Sequence, residues 1–195
     1  MRSIRKGPEP RSLTDKETLR ASLVAEQRRL CCYCLSRIPG TRGMKIEHWR
    51  SQTQHPLEQL DYRNLLGACM GNEGQPWTSQ HCDTRKGDRA LSRNPANPNH
   101  RLDDLRFLAD GRIVSDDVSF DAELNQVLNL NYSRLKENRK ATLDGFLRGL
   151  PKSGGLARAQ LEKWLQEWNE VSHDSELRPF CQVVVYWLRK HLARL

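Results

Sequence analysis

The segments CCYCLSRI at residues 31–38 and GACMGNEGQPWTSQHC at residues 67–82 carry five of the six cysteines of this chain. Cys31 and Cys34 form a Cys-x-x-Cys pair, and the two thiols of the second segment are separated by a long insertion. Between the two segments lie KIEHWRSQ, at residues 45–52, and DYRNLL, at residues 61–66. Two thiol pairs that bracket a Glu-His and an Asn decide the fold that we expect for this region.

Four cysteine thiolates are a common ligand set for structural Zn²⁺, and the set here would be Cys31, Cys34, Cys69 and Cys82. The surrounding sequence has little apolar periodicity, and a small fold of that kind needs a metal or another crosslink. His81, next to the last cysteine, is an alternative ligand in place of one thiol of the second pair. Two unrelated pairs of buried thiols are the other interpretation of the pattern.

The length, net charge and apolar content of the chain limit the classes of protein to which it could belong. The chain has 195 residues and a formal net charge of +8, which suits binding to nucleic acid or another polyanion without requiring it. We find no apolar run of membrane-spanning length and no hydrophobic stretch typical of a secretory signal, so we expect no membrane association and a cytoplasmic location. In that reducing compartment, metal-bound thiolates are favoured over disulfides, and Cys181 is expected to be a core thiol.

Local patterns predict a mixture of helices and short strands. A capping box at Thr14 and Glu17 predicts a helix that extends to about Arg29. We expect short strands at residues 37–38 and 44–46, a helix over residues 78–89 and a hairpin that turns at Asp110-Gly111. Helical periodicity then predicts helices from about residue 121 and over residues 132–150, 156–171 and 178–195.

The polar residues between the cysteines suit phosphodiester hydrolysis. This reaction needs a base that activates water and a divalent cation that neutralises the phosphate and the leaving oxygen. His48 is the candidate base, and Asp83, with Glu47, is a candidate oxygen ligand for Mg²⁺ or Mn²⁺. Asn64 could orient the imidazole. Taken singly, each of these residues also has an ordinary structural explanation.

Two cations follow the last cysteine. Arg85 and Lys86 are placed to bind the phosphates of a nucleic acid. The order of these motifs is Cys-x-x-Cys, Glu-His, Asn-Leu, two cysteines and then Asp-x-x-Lys-Gly. This order resembles that of the zinc-supported HNH, or ββα-metal, endonuclease family.

The resemblance implies roles for individual residues. His48 would be the general base, Asn64 the orienting residue and Asp83 the last ligand of the catalytic metal. The sequence departs from the family pattern at Glu47, where Asp is usual, and at Asp83, where Asn or His is usual. Both departures retain an oxygen donor. The insertion between the last two cysteines is the third departure.

The resemblance extends along most of the chain. The opening MRSIRKGPEPRSL, the hairpin RFLADGRI and the LNLN at residues 128–131 are similar to the HNH effector of Septu-type and retron-associated anti-phage systems. This resemblance implies a nuclease effector that assembles with an ABC/SMC-like ATPase and cuts nucleic acid, with DNA favoured over RNA. The implied fold is α+β, in three parts: an N-terminal arm and helix at residues 1–30, a zinc-stapled HNH core at 31–118 and a helical region at 119–195.

Two other functions explain part of the sequence. A non-catalytic zinc protein that binds nucleic acid accounts for the cysteines and the charge, but leaves His48, Asn64 and Asp83 unexplained. An adaptor for the ATPase with a degenerate nuclease site accounts for the unusual residue at Asp83. Nucleic-acid binding without cleavage across several divalent metals would favour the first alternative, and loss of catalytic metal binding would favour the second.

Overall fold

A computed structural model of the chain describes residue 4, residue 6 and residues 15–151, 155–170 and 176–195. The fold is a mixture of α-helices and two small antiparallel sheets, in agreement with the predicted α+β class. The helices and strands are α1 (Lys16–Glu26), β1 (Met44–His48), β2 (Leu65–Cys69), α2 (Cys82–Lys86), β3 (Leu105–Phe107), β4 (Ile113–Ser115), α3 (Val118–Ala122), α4 (Ser133–Arg148), α5 (Arg158–Asn169) and α6 (Cys181–Leu192). None of the described helices is long and apolar enough to cross a membrane.

Strands β1 and β2 form the sheet that carries the candidate site. They run antiparallel, with His48 opposite Leu65. The prediction of a strand at residues 37–38 is wrong, since the described part of this segment makes one isolated bridge, between Leu30 and Arg37. The true partner, β2, is buried along its whole length, so its sequence LLGAC lacks the alternation that identifies a half-exposed strand.

Helix α1 packs on this sheet. Its apolar face buries Leu19, Leu23 and Val24, as the sequence periodicity predicted. Asp15 caps the first turn by accepting a hydrogen bond from the Glu17 N–H at 3.0 Å. The predicted cap, Thr14, lies outside the described residues.

Helix α2 is shorter than the helix predicted for residues 78–89. One turn of 3₁₀ helix at Trp77–Ser79 precedes it, and α2 itself begins at Cys82, whose φ of +56° interrupts a continuous helix. Gly87, with φ +55°, ends it. The chain therefore enters α2 at a sharp bend, which brings Cys82 back towards the end of β2.

The second sheet is the predicted hairpin. Strands β3 and β4 pair with Phe107 opposite Ile113, and the turn contains Gly111 at φ +85°. A Cβ atom at Gly111 would lie 2.0 Å from the carbonyl oxygen of Lys136, so the turn requires glycine both for its conformation and for this close approach to α4.

The C-terminal helices share a hydrophobic core with the rest of the described chain. One cluster of buried side chains extends from Leu19 of α1 to Leu188 of α6. The tryptophans of α5 and α6 are partly buried around Phe146, with ring centroids 5.6–5.8 Å from its ring. Most of the aromatic stripe on these helices therefore belongs to the core.

Candidate metal centre and active site

Four cysteines from three parts of the chain meet in one buried cluster. Their Sγ atoms all lie within 4.8 Å of one another, and the cluster contains Cys31, Cys34, Cys69 and Cys82. Cys31 Sγ is 3.8 Å from Cys82 Sγ, and Cys34 Sγ is 3.7 Å from Cys69 Sγ. A tetrahedron with Zn–S bonds of about 2.3 Å has edges of about 3.8 Å. The cluster is therefore consistent with a structural Zn²⁺ site.

Local backbone structure presents these thiols. Cys31 and Cys34 lie on a tight turn in which the Leu35 N–H donates to the Cys31 carbonyl at 3.2 Å and Leu35 adopts φ +64°. The third thiol ends β2 and the fourth begins α2. Cys32 is buried but is not a member of the cluster, and Cys181 packs elsewhere, against Leu177.

His81 lies beside the thiol cluster. Its Nδ1 is 3.2 Å from Cys82 Sγ and 4.0 Å from Cys69 Sγ, and its ring stacks on Tyr132 with centroids 6.0 Å apart. Four thiols already provide a complete tetrahedral ligand set. In this arrangement the imidazole is placed to donate a hydrogen bond to sulfur, and such bonds orient metal ligands and tune their charge.

Burial opposes the ionisation of Cys31 and Cys82, but hydrogen bonds from the other sulfurs outweigh it at Cys31, whose pKa lies well below its ordinary value. Burial raises the pKa of the Cys82 thiol well above its ordinary value, and hydrogen bonds from its sulfur neighbours act in the same direction. Four thiolates this close together would also repel one another. A divalent cation at the centre removes both penalties, so the donor set and the spacing fit zinc.

A second polar cluster lies between β1 and α2. Its centre is the Glu47 carboxylate, whose Oε1 is 2.9 Å from Lys86 Nζ, and both side chains are only 1% exposed. The Tyr33 hydroxyl donates to the same oxygen at 2.6 Å. Burial raises the pKa of Glu47 well above its usual range, as does a hydrogen bond with the Asp83 side chain, while the charge of Lys86 lowers it.

Asp83 is the accessible member of this pair of carboxyl groups. Its side chain is 21% exposed, and its Oδ2 is 3.6 Å from Lys45 Nζ. The structure thus brings together the two residues expected to hold a catalytic metal, Glu47 and Asp83, although they are far apart in the sequence. Two carboxyl groups in hydrogen-bonding contact, one of them reachable from solvent, are suitable oxygen ligands for a divalent cation.

His48 follows Glu47 at the end of β1. Its side chain points to the opposite face of the strand, as the period of a strand requires. Its Nε2 is 3.1 Å from the carbonyl oxygen of Gln59. Burial lowers the pKa of His48 from its ordinary value, and the Lys86 charge adds to this, so the ring is neutral near pH 7.

Asn64 supports the loop that follows His48. Its Oδ1 accepts from the Arg50 N–H at 2.8 Å, and its Nδ2 donates to the carbonyl oxygens of Arg50 and Glu58 at 3.0 and 3.1 Å. The expected contact with the imidazole is thus replaced by contacts with backbone. Since Glu58 directly precedes Gln59, Asn64 fixes the segment whose carbonyl binds His48.

The two predicted phosphate-binding cations occupy different environments. Lys86 Nζ is enclosed by Glu47 and by the carbonyl oxygen of His48, at 2.9 Å, so it is not exposed to a phosphate in this conformation. Arg85 is partly exposed and lies over the ring of Trp77, at 3.9 Å from its centroid. Lys86 therefore positions Glu47, whereas Arg85 remains on the surface.

Sequence reasoning missed several contributors to the site. Tyr33 lies between two cysteine ligands in the CCYC motif, and Lys45 lies in a strand. Nothing in the sequence marks either residue as part of the site. The carbonyl of Gln59 has no sequence signal, since a backbone acceptor is chosen by the path of the loop. Glu47 and Lys86 carry opposite charges, but the sequence does not reveal that both are buried.

No family model matches the chain, and no curated protein matches it significantly. The geometry of the two polar centres and the order of their motifs therefore carry the functional interpretation.

Proposed function

We propose that this protein is a metal-dependent endonuclease of the HNH, or ββα-metal, type that hydrolyses phosphodiester bonds. The observation that supports the proposal is the pairing of β1 with α2 through Lys45–Asp83, at 3.6 Å, and Glu47–Lys86, at 2.9 Å, next to His48 at the end of β1. The elements follow one another as strand, strand and helix, which is the order that gives the ββα-metal fold its name. The thiol cluster ties the strand pair to the helix through Cys69 and Cys82.

His48 acts as the base in this proposal. Its hydrogen bond to the Gln59 carbonyl requires a proton on Nε2, so the neutral ring has its lone pair on Nδ1. The lowered pKa keeps that lone pair free near pH 7. Nδ1 then removes a proton from the attacking water, and the Asn64 contacts hold the loop that orients the ring.

Glu47 and Asp83 would hold a Mg²⁺ or Mn²⁺ ion. The charge of Asp83 contributes to the raised pKa of Glu47, and a divalent cation held by both carboxylates would remove this repulsion. When bound, the cation neutralises charge on the phosphate and on the leaving oxygen. Lys86 and Tyr33 fix the orientation of the Glu47 carboxylate.

The wider role follows from the resemblance described above. We propose that nucleic acid is the substrate, with DNA favoured over RNA, and that the protein is the nuclease effector of an anti-phage complex with an ABC/SMC-like ATPase. The net charge of +8 supports binding to a polyanion. A zinc site made of reduced thiols supports a cytoplasmic location.

One observation favours a second candidate function, a non-catalytic zinc protein that binds nucleic acid or serves as an adaptor for the ATPase. Lys86 Nζ already neutralises Glu47 at 2.9 Å, and a buried ion pair of this kind can replace a metal. In that case Asp83 would bind no divalent cation.

The two candidates are separated by cleavage and by metal binding. Zinc-loaded protein, with and without its co-purified partner, is incubated with supercoiled plasmid and with total RNA in Mg²⁺ and in Mn²⁺. We expect plasmid cleavage that is lost in Asp83→Asn and retained in Asp103→Asn, a control in which the replaced carboxylate is 72% exposed. Binding without cleavage under every condition would reject the nuclease and favour the second candidate.

A further inference from the structure

The insertion between Cys69 and Cys82 presents an exposed tryptophan. Trp77 is 52% exposed, whereas the tryptophans of α5 and α6 are partly buried in the core. Arg85 lies over its ring at 3.9 Å from the centroid, and the guanidinium of Arg89 lies 5.2 Å from the same centroid. We refer to Trp77, Arg85 and Arg89 as the Trp77 patch.

The two guanidinium groups of the patch have no carboxylate partner among the described residues. Arg85 donates to the carbonyl oxygen of Trp77, whereas the guanidinium of Arg89 donates to four backbone carbonyl oxygens, those of Arg85, Lys86, Gln126 and Val127. Arg85 Nε is buried and has no hydrogen-bond partner in the described structure. Burial lowers the pKa of Arg89, and the charge of Arg85 adds to this, so two like charges lie close together here.

The loop that carries Trp77 is held in place by hydrogen bonds. Asn72 Nδ2 donates to the Ser79 carbonyl at 2.8 Å, and Asn129 Nδ2 donates to the Thr78 and Gln80 carbonyls at 3.1 and 2.8 Å. A side chain of this size that is both supported and exposed is suited to stacking against a partner, because little conformational freedom remains to be lost.

We infer that the Trp77 patch binds one unpaired base of a single-stranded DNA segment by stacking, with the adjacent phosphate held by Arg85 and attracted further by the positive charge of Arg89. Stacking on an aromatic ring needs a base whose face is free, and uncompensated guanidinium groups attract the phosphate next to it. An acidic peptide would satisfy the cations but would leave the exposed half of the indole uncovered.

This inference rests on the proposed nuclease function and adds a substrate contact to it. Arg85 follows Asp83 by two positions in α2, so the two side chains lie on nearly opposite sides of a helix about 10 Å across. A few nucleotides of one strand cover that span. The patch would therefore hold the strand a short distance from the bond that is cut.

The test measures binding without cleavage. A fluorescent oligo(dT) strand and a duplex of equal length are titrated with zinc-loaded protein without added Mg²⁺ or Mn²⁺. Trp77→Ala should weaken binding of the single strand about 10-fold, and Trp77→Phe should stay within about 3-fold of the wild type, because phenylalanine keeps a face for stacking. Val118→Ala, which truncates a side chain of a residue that is 83% exposed, is the matched control and should bind normally.

Zinc content and thermal unfolding show whether each variant is folded. Trp77→Ala that binds the strand within 2-fold of the wild type would overturn the inference, as would equal weakening for the duplex or a wild type that binds no strand. Because the assay contains no cleavage step, its result is separable from that of the plasmid assay. If the protein binds single-stranded DNA through Trp77 but cleaves neither plasmid nor RNA, the nuclease proposal is rejected and the proposed binding role of the Trp77 patch is kept.

Discussion

Replacing one cysteine of the thiol cluster should remove the metal and much of the stability of the fold. Cys34 is the most informative position, because the neighbouring Cys32 is equally buried, at 2% exposure each, but lies outside the cluster. Cys34→Ser and Cys32→Ser make the same chemical change two residues apart. The difference between them therefore isolates the contribution of the metal site.

The expected magnitudes follow from the geometry. Both variants bury a hydroxyl group in place of a thiol, which costs about 1–3 kcal/mol when the group has no partner. Cys34→Ser also breaks a set of four sulfurs spaced for a tetrahedral ion. Structural zinc contributes about 10–16 kcal/mol in small zinc-binding peptides, which is comparable to the total stability of a domain, about 5–15 kcal/mol. We expect Cys34→Ser to lose more than about 5 kcal/mol.

The assay combines elemental analysis with urea unfolding. Wild type and Cys32→Ser should each contain one equivalent of zinc, and Cys34→Ser should contain much less. The free energy of unfolding should fall by about 1–3 kcal/mol in Cys32→Ser and by considerably more in Cys34→Ser. Full zinc content in Cys34→Ser, or equal stability of the two variants, would refute the assignment of this cluster as a zinc site.

Three further predictions concern the second polar cluster. Lys86→Met leaves a buried carboxylate without its cation and should destabilise the fold by about 3–5 kcal/mol in urea unfolding, whereas the Glu47→Leu/Lys86→Met double variant should lose less; equal losses would argue against a buried ion pair. Asn64→Ala leaves the Arg50 N–H unpaired and should cost about 2–3 kcal/mol and lower the cleavage rate, with zinc content unchanged. A normal cleavage rate in that variant would exclude a role for the loop. Because burial lowers the pKa of His48, the midpoint at which plasmid cleavage declines with falling pH should lie below the ordinary histidine value of 6.5, and a midpoint above that value would contradict a base with a lowered pKa.

Local patterns predicted much of the fold. The capping region and apolar face of α1, the Asp-Gly hairpin and the three long C-terminal helices each depend on residues close together in the sequence. The cysteine spacing likewise predicted the thiol cluster, because four thiols in a short stretch have few other uses in a reduced protein.

The remaining features depend on contacts between distant residues. Strand β2 was missed because Leu65–Cys69 is buried on both faces, and Gly67 in its centre weakens the strand pattern further. The backbone at the centre of β2 is held by Gln27, whose side-chain amide donates a hydrogen bond to the Gly67 carbonyl oxygen at 2.7 Å. No local pattern contains that contact.

The membership of the thiol cluster was predicted correctly, whereas the catalytic roles of the polar residues stay predictions. The proximity of Glu47 to Asp83 was expected from the motif order and is present in the structure. The burial of Lys86 was not expected, since a lysine next to a glycine at the end of a short helix resembles a surface cation. Whether such a residue meets a phosphate or a buried carboxylate depends on how α2 packs against β1.

Plasmid cleavage by His48→Ala, compared with His55→Ala, tests the central claim most directly. His55 lies on the loop that follows β1, with 41% of its side chain exposed, and has no role in the proposed reaction. Both variants should retain one equivalent of zinc and unfold like the wild type. We predict that His55→Ala cuts supercoiled plasmid in Mg²⁺ or Mn²⁺ at the wild-type rate, whereas His48→Ala loses at least about 100-fold, as expected for removal of a general base. A folded His48→Ala variant that cuts as fast as His55→Ala would contradict the proposed mechanism.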